Sequence, residues 1–217
     1  MFVADVERPE LDPHDRHHLE RVLRLRAGDA ITVSDGEGRW RPCRLGPALS
    51  PDGEVVVEPA PSPPLAVAFA LTKGAKPELT VQKLTELGVD RIVPFAAARS
   101  VVRWAEPERP RHVERLRRVA REAASQSRRA WLPEVEELAT FAALVARPGA
   151  TLADPDGDRP SLAALVLVGP EGGWAPEELA LGAPRMKLGP HVLRAETASI
   201  AVGALLAALR GGIVSSA

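Results

Sequence analysis

Residues 167–173, Leu-Val-Gly-Pro-Glu-Gly-Gly, and residues 188–198, Leu-Gly-Pro-His-Val-Leu-Arg-Ala-Glu-Thr-Ala, carry one design twice. A short apolar run, over 164–168 and again over 186–188, reads as a buried strand. Each run ends in a Gly-Pro turn, and a helix follows. Glycine lets backbone approach a ligand with no Cβ in the way, and proline fixes the turn. Two such strand ends side by side predict a backbone-lined slot at the carboxyl edge of a parallel sheet, where open α/β sheets bind small molecules.

Working outward, the chain has 217 residues, 45% of them hydrophobic, and a formal net charge of −1. That length and apolar content suit one large domain or two small ones with a real core. The overall charge gives no argument for a polyanionic partner, so charge distribution has to. The single cysteine, Cys43, excludes an internal disulfide and any cysteine-based zinc site. Asp5, Glu7 and Arg8 argue against a signal peptide, and the longest apolar run, 200–209, is too short to span a bilayer. These features predict a cytoplasmic protein without a membrane segment. Arginine far outnumbers lysine, which stands only at Lys73, Lys76, Lys83 and Lys187, and asparagine and tyrosine are absent. Such usage fits a thermophile and equally a GC-rich genome.

Residues 1–64 read as a small, mostly β unit. Asp12-Pro13 is a helix start, with Asp as N-cap and Pro at the first helical position. The helix is expected to run to about Leu25, with Leu19, Val22, Leu23 and Leu25 inward. Strands follow over 30–34 and 39–45, joined by an Asp35-Gly36-Glu37-Gly38 turn, and over 54–58. Short strands with one helix suggest a small barrel. His14, His17 and His18 form no convergent ligand set, so no metal is expected. They belong to a basic face with Arg8, Arg16, Arg21, Arg24 and Arg26.

Ala60-Pro61-Ser62-Pro63-Pro64 is a semi-rigid linker, and the second domain is placed at 65–217. There the pattern alternates in βα fashion. The continuous apolar strand 65–71 is of the kind buried on both faces. A helix over 77–87, a strand over 91–95 and a long helix over 107–129 follow. From Arg99 to Arg129 the chain carries ten arginines against four acids. A short helix over 141–146, strands over 151–153, 164–168 and 186–188, and helices over 176–181 and 195–210 complete the pattern.

The glycine loops match neither a dinucleotide-binding G-x-G-x-x-G nor a P-loop, and there is no serine nucleophile elbow or Cys–His pair. Dehydrogenase, kinase and common hydrolase chemistries therefore lack their parts.

The pair Val168-Gly-Pro-Glu-Gly-Gly173 and Leu188-Gly-Pro-His-Val-Leu-Arg-Ala-Glu-Thr-Ala198 resembles the SPOUT superfamily of methyltransferases. Within it, the chain is most similar to the bacterial enzymes that methylate uridine at N3 in small-subunit (16S) ribosomal RNA. The resemblance spans nearly the whole chain: His18–Arg26 with Gly28-Asp29 and Asp35-Gly36, Lys73–Lys76, Gln82–Gly88, and Glu122–Arg128 followed by Pro133. In the Glu122–Arg128 block this chain departs by carrying Ala123-Ala124-Ser125 where relatives often have a bulkier residue or a further glutamine.

The resemblance implies an N-terminal PUA-like RNA-binding domain and an α/β SPOUT domain with a C-terminal deep trefoil knot. It implies S-adenosylmethionine as cofactor, 16S ribosomal RNA or the small subunit as substrate, and a homodimer. Nothing in the spacing points to a knot, which topological rules disfavour. Carried onto this sequence, the cofactor site comprises Leu167, Val168, Gly169, Pro170, Glu171, Gly172, Gly173, Leu188, Gly189, Val192, Leu193, Arg194, Thr197 and Ala198. Methyl transfer to N3 needs alignment and either a base for the N3 proton or a cation for the uracil anion. Glu171 and Glu196 are the candidate bases and Arg194 the candidate cation; Glu196 also reads as a helix N-terminal carboxylate. Lys73, Lys76, Gln126, Arg128 and Arg129 join the arginines of the first domain as candidate RNA contacts. The alternative function is an RNA-binding protein with a non-catalytic cofactor slot.

Overall fold

A computed structural model of the chain describes residues 1–74 and 76–215. Ala75, inside the Lys73–Lys76 block, and Ser216 and Ala217 lie outside the described residues. The chain divides into two compact units: Met1–Ala60 with Ala124–Leu132, and Pro61–Ala123 with Pro133–Ala217. The segment Ala124–Leu132 falls within the second domain by sequence position, yet it packs with the first.

In the first unit, α1 (Pro13–His17) starts as expected: the Asp12 carboxylate accepts the Asp15 N–H at 2.7 Å, with Pro13 at the first position. It does not continue to Leu25. The coil widens into a π-helical turn over His18–Val22, and Arg24 adopts φ 57°, which stops it. The extra residue in the turn rotates the following side chains off the inner face. Leu19 is buried, whereas Val22 and Leu23 are exposed.

Strands β1 (Ala30–Ser34) and β2 (Arg39–Arg44) form an antiparallel hairpin. β2 also pairs with β3 (Ser50–Pro51) and β4 (Val56–Val57). Among the described residues, no ladder closes this sheet into a barrel. Its core is Val3, Val6, Leu19, Ile31, Val33, Cys43, Leu45 and Leu49. Ser34 Oγ donates to the Ala130 carbonyl at 2.9 Å and Leu132 N–H donates to the Gly36 carbonyl at 2.9 Å, so 124–132 is stitched to the hairpin.

The second unit is an all-parallel sheet built from β5 (Ala66–Ala70), β6 (Arg91–Ala96), β7 (Glu134–Val135), β8 (Ala139–Thr140), β9 (Ala150–Asp158), β10 (Leu165–Val168) and β11 (Arg185–Met186). Its order is β11-β9-β10-β5-β6, with β7 and β8 both along β6. The central strands β5 and β10 read as continuous apolar runs because both their faces are covered. On one face Val67, Phe69, Ile92, Val166 and Val168 meet α2 (Lys76–Glu86), α3 (Arg109–Gln126) and α6 (Ala195–Arg210) through Val81, Leu84, Leu116, Ala120, Val202 and Leu206. On the other, Ala66, Ala68 and Ala70 leave room for Phe95, Phe141 and Trp174. Phe141 opens α4 (Phe141–Val145), and Trp174 precedes α5 (Pro176–Leu179).

α3 is shorter than the helix expected over 107–129. It is preceded by a 3₁₀ turn at Glu106–Glu108 and ends at Gln126, after which Arg128 takes φ 57°. Its inward residues Val113, Leu116, Ala120 and Ala123 recur at helical spacing. Its arginines are partly neutralised: Arg115 pairs with Glu78 at 2.9 Å and Arg117 with Glu137 at 2.8 Å.

Candidate active site

The two glycine loops leave the sheet from β10 and β11. They are not side by side, as the sequence pattern implied, because β9 runs between them and pairs in parallel with both. This strand spans nine residues where the sequence pattern predicts three, because its polar half Asp154–Asp158 masks it. The consequence is a cleft at the carboxyl ends of β10 and β11, with the middle of β9 between them. β9 contributes Ala153, Asp154 and Pro155 to its wall.

Of the predicted cofactor residues, Val168, Gly169, Pro170, Glu171, Gly173, Leu188, Gly189, Val192, Leu193 and Ala198 line this one cleft. Leu167 is buried in the sheet face beneath it. Gly172, Arg194 and Thr197 do not line it. Trp174, His191 and Ala195, absent from the predicted set, do. Trp174 was legible only as an apolar residue beside a turn. Its indole N–H donates to the Ala153 carbonyl at 2.9 Å, and its ring lies 6.2 Å from Phe95 and 5.4 Å from Phe141.

The two glycines at the loop starts serve different ends. A Cβ on Gly169 would stand 3.1 Å from the Trp174 ring, so this glycine lets the indole close the cleft floor. A Cβ on Gly189 would meet nothing within 4 Å. There the missing side chain leaves open space in the cleft.

The first loop is braced from behind. Arg99 donates to the Gly172 carbonyl at 3.0 Å. The buried Glu178 carboxylate accepts the N–H groups of Ala175 and Ala98, both at 2.8 Å. These bonds tie the first loop to the segment after β6 and to α5.

The charged candidates form a cluster at the cleft edge. Lys76 Nζ donates to Glu171 Oε1 at 2.9 Å. It also lies 3.4 Å from Glu196 Oε2, a buried oxygen that receives no hydrogen bond. The hydrogen bond from Lys76 holds the Glu171 carboxyl below its ordinary value, helped by a bond from its own backbone. The same bond raises the Lys76 ammonium. Lys76 is thus paired with two carboxylates and keeps part of its side chain exposed. Only Glu171 of the two candidate bases lines the cleft. Arg194, at the N-cap of α6, is exposed.

Among the other candidate RNA contacts, Arg8, Arg21, Arg24, Arg26, Lys73, Gln126 and Arg128 are exposed and Arg129 is half-buried. Arg16 is a structural strut: it donates to the Gly46 and Pro47 carbonyls at 2.9 and 3.1 Å and pairs with Glu20. No group of His, Cys, Asp or Glu among the described residues is arranged to hold a metal, and no described helix is long and apolar enough to cross a membrane.

Comparison with known proteins bears on this geometry. The RNA methyltransferase domain family matches residues 58–207, and the RNA methyltransferase PUA domain family matches residues 11–56. The ribosomal RNA small subunit methyltransferase E of Mycobacterium bovis is 36% identical over 221 positions, covering 90% of this chain and 84% of the relative. That of Bacillus subtilis is 30% identical, covering 85% and 83%. The crystal structure of a ribosomal RNA small subunit methyltransferase E from Neisseria gonorrhoeae, bound to S-adenosyl methionine, superposes with a TM-score of 0.74 at 26% identity, covering 96% of each chain. A cleft walled by two glycine loops at the carboxyl edge of a parallel sheet, a PUA-type first domain and this breadth of likeness agree on one assignment: the chain belongs to the ribosomal RNA small subunit methyltransferase E family of RNA methyltransferases.

Proposed function

We propose that this protein transfers a methyl group from S-adenosylmethionine to N3 of a uridine in 16S ribosomal RNA. The observation that carries the reading is the cleft itself: backbone of two glycine loops, with open space where a Gly189 side chain would stand. The residues present suit the cofactor. Leu188, Val192, Leu193 and Ala198 offer an apolar wall for its adenine, and the loop backbone offers donors and acceptors for its polar edges. When bound, S-adenosylmethionine supplies an activated methyl on a sulfonium.

The chain's own part is to hold and align the reactants. Glu171 faces the cleft and stays ionised through Lys76, so it can orient the uracil N3–H and accept its proton. Arg194 stabilises the uracil anion from the start of α6, and Glu196 fixes Lys76 from the far side. Exposed Arg8, Arg21, Arg24, Arg26, Arg128 and Gln126 contact the RNA backbone, with affinity that falls steeply as salt rises. The working enzyme is a homodimer in the cytoplasm, and its C-terminal segment is knotted. The dimer is supported by exposed apolar residues outside the cleft such as Ile213 and Val214. The knot is supported by the strand order, in which the chain reaches the β11 edge and α6 returns to pack against β5 and β10.

Calorimetry with S-adenosylmethionine, followed by methylation of 16S ribosomal RNA and mapping of the modified base, tests the reading. Modification of a base other than uridine, or at an atom other than N3, overturns the site assignment; no cofactor binding overturns the reaction.

A further inference from the structure

A cavity of about 540 Å³ lies within the first unit, between the β1–β2 hairpin and the 124–130 segment. That volume falls in the range of small-ligand pockets. Its walls include apolar residues such as Phe2 and Pro42, and also Trp40, Glu58, Arg128 and Arg129.

Glu58 is held from three directions. Its N–H donates to the Gly38 carbonyl at 2.8 Å. Its own carbonyl accepts the Trp131 indole N–H at 3.2 Å. Its carboxylate Oε1 accepts the Trp40 indole N–H at 2.7 Å. Gly38 makes this possible: it has φ +93°, and a Cβ there would stand 2.6 Å from both the Glu58 carbonyl and the Trp131 ring. Two of the four tryptophans therefore position one exposed glutamate. One indole donor leaves most of the roughly four acceptor positions of the carboxylate open.

Arg128 is the second unusual element. It follows α3 in the left-handed region at φ 57°, and its N–H and that of Arg129 bond back to Ser125 and Ala124 carbonyls at 3.3 and 3.0 Å. Glycine takes this helix-stop conformation without steric cost. An arginine there works against backbone preference, a pattern typical of functional positions, and its side chain lines the cavity.

We infer that this cavity is a second RNA subsite that receives one unpaired base, guanine by preference. Guanine presents two N–H donors, N1–H and N2–H, on one edge, which matches a carboxylate. The other bases present one donor group on that edge. Unpaired bases are read on such edges and stack on aromatic side chains, here Trp40. Arg128 meets the adjoining phosphate. The inference rests on the reading of the chain as an RNA methyltransferase and adds a docking site that takes no part in the chemistry.

The test uses full-length protein and short labelled oligouridylates carrying one central A, C, G or U, read by fluorescence anisotropy. The guanine oligomer should bind roughly tenfold tighter than the all-uridine one, the discrimination expected of one bidentate pair. Glu58→Gln should abolish that preference and leave S-adenosylmethionine affinity unchanged. Arg128→Gly should weaken all four oligomers by roughly threefold to tenfold while raising the melting temperature, a combination that a purely structural arginine would not produce. Equal affinity of the parent for all four oligomers, or a guanine preference that survives Glu58→Gln, overturns the subsite. Calorimetry keeps the two readings apart. A parent that binds S-adenosylmethionine and methylates RNA without base preference loses only the subsite. One with Glu58-dependent guanine preference but no cofactor binding loses only the methyltransferase reading.

Discussion

Lys76 Nζ stands 2.9 Å from Glu171 Oε1 and 3.4 Å from Glu196 Oε2, so one ammonium joins the loop after β10 to the first turn of α6. With that cation in place, Glu171 stays ionised below the pH at which an ordinary glutamate protonates. Lys76→Met removes the cause of the depression. The acid limb of the kcat–pH profile should move to higher pH in the variant, with cofactor affinity changed less than kcat. An acid limb that stays put would separate Glu171 from the proton transfer.

Glu136 is a second carboxylate whose partners outweigh its burial. Burial pushes its carboxyl up, but bonds from Arg147 and Arg91 hold it below the ordinary value. Arg147 grips it as a fork, Nη1 at 3.0 Å and Nη2 at 2.7 Å. Because the folded value is depressed, the stabilisation is present above the unfolded carboxylate range and is lost as pH falls through the folded value. Glu136→Gln should cost about 1.5–3 kcal/mol at neutral pH, and the difference from the parent should vanish in acid. Chemical denaturation at both pH values reads this; a cost independent of pH would assign the effect to packing.

Gly189 and Gly169 should fail in different ways. At Gly189 an added side chain enters open space, so Gly189→Val should keep the parental melting temperature and lose cofactor binding. At Gly169 the same change drives a branched side chain into the Trp174 ring. Even Gly169→Ala should cost about 1–3 kcal/mol as overpacking. Calorimetry alongside thermal melts distinguishes them. Gly189→Val binding cofactor as the parent does would place the ligand elsewhere.

Trp174 couples the cleft to the aromatic face of the sheet. Trp174→Ala should cost about 3–5 kcal/mol, as expected for emptying a large buried ring. Trp174→Phe retains the stack but orphans the Ala153 carbonyl, and should cost about 1–3 kcal/mol. Equal losses in the two variants would show that the hydrogen bond to Ala153, rather than the ring, carries the stability.

Homodimerisation is read by light scattering at micromolar concentration, where the mass should be about twice the 23.2 kDa of one chain. The exposed apolar Ile213 and Val214, outside the cleft, are the positions to charge. A parent that is active and monomeric would remove the dimer from the proposal.

By itself the sequence determined the alternation of strands and helices in the second unit, the α6 span 195–210, the Asp12 cap and the meeting of the two glycine loops at one cleft. These are carried by local chemistry: uninterrupted apolar runs, Gly-Pro turns and cap residues act within a few positions of one another. Tertiary structure alone decided that β9 separates β10 from β11, because strand order depends on long-range pairing and the polar end of β9 conceals its length. It also decided that Lys76 answers two carboxylates, that Arg16 braces a loop, and that 124–132 joins the first unit. In each case the partner lies tens of residues away in sequence. A side chain's charge declares what it can bind, and only the folded backbone decides which partner is near enough to be bound.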